Sequence, residues 1–204
     1  MSAGIFGATA LGIKAKEGVV LAADKRMSYG GFILSRNAKK VYPITDRVGI
    51  AVAGFYADMY GLIKILEVEI RYYETTNNVV MPLRSVAKLL SAILYSSKFF
   101  PYYIEAIVGG INGDGEPRIY VLDPVGAITE EDYIAVGSGA TTALGVLESE
   151  YREGLTIEQA VDLAVRAMKA AIARDSSSGD GIDVLMITPK GYKEKAIKLR
   201  VVTS

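Results

Sequence analysis

The chain contains no cysteine, no histidine and no tryptophan. Without cysteine there is no disulfide, no thiolate nucleophile and no zinc–cysteine site, an absence compatible with a cytosolic or a thermophilic protein. The missing histidine removes the commonest general base, the Ser-His-Asp triad and most transition-metal sites. Any hydrolytic chemistry therefore takes its base from lysine, a carboxylate or an α-amino group. No apolar run approaches the roughly 18 residues of a membrane-spanning helix, and Met1 to Gly7 lacks the charged start and long apolar core of a secretory signal. Charge of one sign is also missing: Lys+Arg and Asp+Glu number 23 each, which gives no footing for DNA or RNA. The expectation is a soluble, intracellular protein of the cytoplasm with neither nucleic-acid nor membrane partners.

What is present suffices for one core. At 204 residues the chain is long enough for one substantial domain and short for two. Half the residues are apolar, and a mean hydropathy of +0.26 with 13 tyrosines points to some apolar surface covered by partners.

Glycine turns punctuate the first quarter. Short apolar runs at 7–14 and 19–26 around Gly18 predict a β-hairpin. After a turn at 28–31, further strands follow at 32–34, 41–44 and 48–53, in the rhythm of an antiparallel sheet. The period then changes. Met59, Leu62, Ile63, Leu66 and Ile70 share one face of a helix over about 56–76, and Val86, Leu89, Leu90, Ile93 and Leu94 mark a second helix after Pro82. Strands return at 104–111, 118–122, about 127–129 and 133–136, read as a second sheet. Helices follow over about 141–151 and 156–174, the latter opening on Thr156-Ile157-Glu158-Gln159, a capping box. A core strand at 183–188 and an edge strand at 196–202 complete the chain. Segregated blocks of strands and helix pairs predict an α+β fold, with two sheets face to face and helix pairs outside.

Polar residues interrupt otherwise apolar or glycine-rich strand ends at Thr9, Asp24, Lys40, Ser138, Asp175 and Ser178. A threonine hydroxyl attacks only when a base takes its proton. Here the bases on offer are a lysine of lowered pKa, oriented by an aspartate, or the threonine's own freed α-amine. Each residue also has an ordinary reading: a strand end meeting water at Asp24-Lys25-Arg26, a solvated pair at Lys39-Lys40, a helix-entry turn at Gly137-Ser138-Gly139. The loop Asp175-Ser176-Ser177-Ser178-Gly179-Asp180-Gly181 has neither the spacing nor the closing glutamate of an EF-hand. No metal or organic cofactor is implied.

Taken together, the landmarks resemble the β-type subunits of the archaeal 20S proteasome across essentially the whole chain. They are Thr9 to Gly12 with Gly18 to Arg26, Lys39-Lys40-Val41, Ala51-Val52-Ala53-Gly54, Gly109-Gly110 and Tyr120-Val121-Leu122-Asp123. Gly137-Ser138-Gly139, Gly145-Val146-Leu147-Glu148-Ser149, Arg174-Asp175 and Ser178-Gly179 complete the set. The resemblance implies the four-layer αββα sandwich of the N-terminal nucleophile hydrolases, with a leader at 1–8 and a single domain at 9–204. It implies a threonine endopeptidase that works inside a chamber of stacked seven-membered rings, with sibling β subunits, α subunits, protein and peptide substrates and an ATP-dependent unfoldase as partners. Carried over residue by residue, Asp24 and Lys40 are the charged pair beside the nucleophile, and Ser138, Asp175 and Ser178 surround its amine. Gly54 offers its N–H to the oxyanion, and Met27, Ala38, Val52 and Tyr56 line the specificity pocket.

One departure stands inside this match. In the family the nucleophile lies sixteen positions before the residue matched by Asp24 and four before that matched by Gly12, and both counts land on Ala8. Thr9 falls one position late, which on a strand turns its hydroxyl to the other face. Two readings follow. If the chain is cut after Ala8, Thr9 becomes the terminal nucleophile and the strand start must slip by one residue. If Ala8 holds the nucleophile position, the leader stays and the subunit is structural. A stand-alone amidohydrolase of the same sandwich fold is a remoter alternative, and a bacterial two-ring relative fits the pair of long helices over 56–97 less well.

Overall fold

A computed structural model describes residues 7–199. Its strands are β1 Thr9–Ala15, β2 Gly18–Asp24, β3 Met27–Tyr29, β4 Phe32–Ser35, β5 Val41–Pro43, β6 Val48–Gly54, β7 Ile104–Ile111, β8 Pro117–Leu122, β9 Ile128–Glu131, β10 Tyr133–Gly137, β11 Ile182–Thr188 and β12 Gly191–Ile197. The helices are α1 Tyr56–Asn77, α2 Leu83–Ser96, α3 Ala140–Glu150 and α4 Ile157–Arg174.

Two five-stranded antiparallel sheets form the centre, one in the order β10-β1-β2-β11-β12 and the other β5-β6-β7-β8-β9. The apolar side chains sort into three layers of core. Val48, Ile50 and Val52 of β6 pack with Met59, Leu62, Leu66 and Leu90 under α1 and α2. Leu11, Ile13, Val20 and Val184 pack with Ala160, Ala164 and Met168 under α3 and α4. Ala10, Leu21, Ala51, Ile107 and Leu185 fill the space between the sheets. This is the αββα sandwich expected from the block order. With both faces covered, β1 and β2 are buried almost from end to end, so their sequences read as continuous apolar runs rather than as alternation.

The sheets do not follow the sequence blocks. β5 and β6, read with the N-terminal strands, pair instead with β7 in the other sheet, while β10 returns to lie beside β1 in the register Thr9↔Gly137. Local pattern fixes that a run is a strand, whereas its neighbour is fixed by long-range packing. The last strand is Gly191–Ile197 rather than 196–202, because it forms a hairpin with β11 directly across Thr188↔Gly191. Residues 200–202 of the expected edge strand lie outside the described residues. The capping box forms: Thr156 accepts from Gln159 N at the start of α4, and the Gln159 side chain accepts from Thr156 N. Among the described residues no helix is long and apolar enough to cross a membrane.

Missing side chains let the two sheets approach closely. A Cβ built on Gly109 would meet Val19 Cγ1 at 2.8 Å and Leu21 Cδ2 at 3.1 Å, and one on Gly49 would meet Leu185 Cδ2 at 2.5 Å. Leu21 thus sits among backbone, with little room to be replaced or enlarged. Its truncation, Leu21→Ala, is expected to cost about 3–5 kcal/mol, since glycine-walled surroundings have few side chains that can collapse into the cavity. Chemical denaturation checks this, and a loss below about 1 kcal/mol would refute the packing argument.

Candidate active site

Strand β2 ends on Asp24, whose carboxylate is completely buried where the start of β1, the 24–26 segment and the 175–181 loop converge. Burial of an anion demands donors, and four reach it. Oδ1 accepts from Lys40 Nζ at 2.7 Å and from Thr9 N at 3.0 Å; Oδ2 accepts from Arg26 N and Gly179 N, both at 2.9 Å. Lys40 itself lies just before β5, its carbonyl accepting from Val52 N at 3.0 Å. Burial pushes the Lys40 ammonium below its ordinary value of 10.5; the Asp24 charge and hydrogen bond oppose that shift without cancelling it.

A chain of hydroxyls lies beside this pair. Asp175 Oδ2 accepts from Ser178 Oγ and from Ser138 Oγ, each at 2.6 Å, and Asp175 Oδ1 accepts from Ser177 N at 3.0 Å. Thr9 Oγ1 is 2.7 Å from Ser178 Oγ. Each hydroxyl carries one proton, and Ser178 has given its own to Asp175. The Thr9 hydroxyl is therefore the donor to Ser178, in a closed sequence Thr9 to Ser178 to Asp175. Ser138 also reaches Ala8, whose carbonyl accepts from Ser138 N at 2.9 Å; the Ser138 hydroxyl, 3.3 Å from the same oxygen, spends its one proton on the nearer Asp175.

Strand alternation separates Thr9 from Ala8 and Ala10. Ala8 and Ala10 point into the inter-sheet core with Val41, Ala51 and Ala53. Thr9 points the opposite way, towards Gly139 and Ser178, and is fully buried there. The Thr9 backbone N–H on Asp24 and its hydroxyl on Ser178 thus join the charged pair to the hydroxyl chain.

A cavity of about 50 Å³ opens beside the pair, and Gly7, Lys40 and Gly54 contribute to its wall. At Gly54 the φ of +130° and a built Cβ 2.1 Å from Tyr103 O admit no other residue. Of the four residues expected in a specificity pocket, Met27 and Tyr56 line this cavity. Val52 does not, because alternation along β6 turns it to the helix layer, and Ala38 is buried at the base of the β3–β4 hairpin with its N–H on Lys25 O. Sequence reasoning had no place for Arg26, Tyr29, Leu34 and Phe55, which also line the cavity. For Arg26 and Phe55 the available signal was adjacency in sequence to Asp24 and Gly54; for Tyr29 and Leu34 there was none. Among the described residues no group of acidic side chains is arranged to hold a metal ion.

Residues 5–187 match the family model described as "Proteasome subunit". The chain is 58% identical over 187 residues to "Proteasome subunit beta 1" of Ignicoccus hospitalis, covering 92% of this chain and 93% of that protein. It is 51% identical over 181 residues to "Proteasome subunit beta 1" of Hyperthermus butylicus, covering 89% of each. To "Proteasome subunit beta 2" of Caldivirga maquilingensis it is 48% identical over 191 residues, 94% of this chain and 95% of the other.

Because Lys40 is deprotonated in the folded chain at a lower pH than in the unfolded one, the unfolded state binds the extra proton between the lowered pKa and 10.5. Stability contributed by this group therefore rises with pH across that window, with a slope of at most about 1.4 kcal/mol per pH unit. Urea denaturation between neutral pH and 10.5 should show this rise in the native chain and lose it in Lys40→Met. Parallel curves for the two proteins would show that the lysine is not desolvated.

Proposed function

The chain belongs to the proteasome subunit family as a beta-type member, and from that premise we propose that it is a non-catalytic beta subunit, retained for the wall it builds rather than for cleavage. One observation carries this reading: Ala8, sixteen positions before Asp24, faces the inter-sheet core with a methyl, while the neighbouring hydroxyl, Thr9, turns to the other face and donates to Ser178. A threonine peptidase needs a hydroxyl within reach of its base. Here the buried lysine has a cavity before it and Asp24 as its hydrogen-bond partner, while the Thr9 hydroxyl has Ser178.

The competing reading makes Thr9 the nucleophile after a cut following Ala8. Its support is the 3.0 Å bond from Thr9 N to Asp24, which would bring a freed amine next to the charged pair. It also requires β1 to shift by one residue, which would expel Leu11 and Ile13 from the layer under α4 and turn Ala10 into it. The register as it stands favours the silent subunit.

Members of this family assemble with alpha subunits into a multi-subunit core. In the proposed role the chain takes a place in a seven-membered beta ring of a cytoplasmic particle fed by an ATP-dependent unfoldase. It contributes chamber wall beside active siblings, with residues 1–8 left in place. Residues 1–6 of that leader lie outside the described residues. An amidohydrolase acting alone has no comparable support, since the relatives are named as proteasome beta subunits along nearly their whole length.

The test is the intact mass of the chain after assembly with alpha and active beta partners, with and without an epoxyketone that captures N-terminal threonine. The expected result is a full-length, unlabelled chain, and for Ala8→Thr loss of the first seven residues with one inhibitor added. A native chain that begins at Thr9 and carries the inhibitor would overturn the proposal.

A further inference from the structure

Strands β3 and β4 belong to neither main sheet; they pair only with each other. The hairpin turns at Gly30 and Gly31, both with positive φ (54° and 85°), and a Cβ on either would meet nothing within 4 Å. None of its side chains joins the three core clusters. Yet it contributes Met27, Ser28, Tyr29 and Leu34 to the cavity beside Lys40, so the hairpin forms one wall of that cavity and lies at its mouth.

With so little apolar anchorage, polar contacts at the base of the hairpin matter to its placement. Ala38 N donates to Lys25 O at 3.0 Å, closing the two ends together. Arg26, immediately before β3, donates from Nε to Asp180 Oδ2 at 2.8 Å and from Nη1 to Ser176 O at 2.8 Å. Arg36, immediately after β4, donates from Nη1 to Asp180 Oδ1 at 2.6 Å. The two oxygens of one carboxylate therefore hold both ends of the hairpin. The Asp180 side chain is only 5% exposed and its backbone is left-handed, φ +67°, a conformation that aspartate tolerates better than most residues. Desolvation pushes the Asp180 carboxyl up, but hydrogen bonds from Arg26 and Arg36 and their charges outweigh it and hold the group below its ordinary value.

We propose that Asp180 is a positioning residue for the cavity beside Lys40: by holding Arg26 and Arg36 together it fixes the β3–β4 hairpin and so sets the aperture through which a small apolar side chain reaches the walls of Met27, Leu34 and Tyr56. Of the residues that line the cavity Asp180 bonds to Arg26, and it acts there through the two arginines. The inference goes beyond the silent-subunit reading and does not depend on it, since the clamp is the same whether or not residue 8 bears a hydroxyl.

The absence of cysteine makes a direct test available. In full-length chain, Met27→Cys places a single thiol on the cavity wall, and its alkylation rate with N-ethylmaleimide reads the opening of the hairpin. Met168→Cys places the single thiol in the fully buried layer under α4 and reads global loosening. Asp180→Asn keeps the size of the side chain and its tolerance of left-handed backbone while removing the charge. It is expected to speed alkylation at position 27 by about three- to tenfold, the range for losing one partly buried and one exposed ion pair, with no change at position 168. Arg36→Ala should give part of the same effect without touching the 175–181 loop, and Arg36→Lys should recover most of it. High salt should accelerate position 27 in the parent and leave the Asp180→Asn chain unaffected. Unchanged rates at position 27 in both Asp180→Asn and Arg36→Ala would overturn the proposal. Equal acceleration at positions 27 and 168 would also overturn it, by showing that Asp180 merely stabilises the fold.

Discussion

The buried ion pair between Asp24 and Lys40 is the constraint around which the rest of the site is arranged. A carboxylate with no solvent access is tolerable only if its lone pairs are met, and those of Asp24 are met by β1, by the 24–26 segment, by the 175–181 loop and by Lys40. Four separate stretches of chain are therefore tied to one point. Their relative placement follows from satisfying that charge, before any question of catalysis arises. Pairs of this kind add little net stability over an apolar substitute, but removing one partner alone costs on the order of 3–5 kcal/mol. Such asymmetry keeps both residues in place once either is there.

On the proposed reading, the same asymmetry lets a site persist without its nucleophile. Asp175 holds Ser138, Ser177 N and Ser178; Ser138 holds the Ala8 carbonyl; Ser178 receives the buried Thr9 hydroxyl. Thr9, Ser178 and Ala8 are buried, and their polar groups would otherwise be left unpaired. The presence of the shell is consequently no sign of activity. If Ala8 holds the nucleophile position, as proposed, a methyl in place of a hydroxyl there leaves Lys40 its bond to Asp24.

Much of this was legible in the sequence. The periods of Met59 to Ile70 and Val86 to Leu94 gave two helices whose apolar faces are the ones that pack, and the spacing from Ala8 to Asp24 exposed the register problem without coordinates. Sheet membership was not legible, because β6 and β10 look the same locally whichever neighbour they choose. The pocket was only half legible: Met27 and Tyr56 flank turns that stay near the cavity, whereas Val52 is carried away by the two-residue repeat of β6. Asp180 was read only as part of a serine-rich loop. Its two arginine partners are 154 and 144 residues distant in sequence, and nothing local marks such a pairing.

The return of β10 to the side of β1 has a kinetic meaning as well. Thr9 pairs with Gly137, and the space between them in sequence holds the whole second sheet and both of its helices. Closing so long a loop is slow, and contacts of high sequence separation form after local ones. The hairpin of β1 and β2 can form early, but its outer edge stays unpaired until half the polypeptide has folded elsewhere. During that interval an apolar strand with free N–H and C=O groups is open to other chains. For a subunit of a multi-subunit core, the most exposed moment is therefore before assembly, while the first strand waits for its second neighbour.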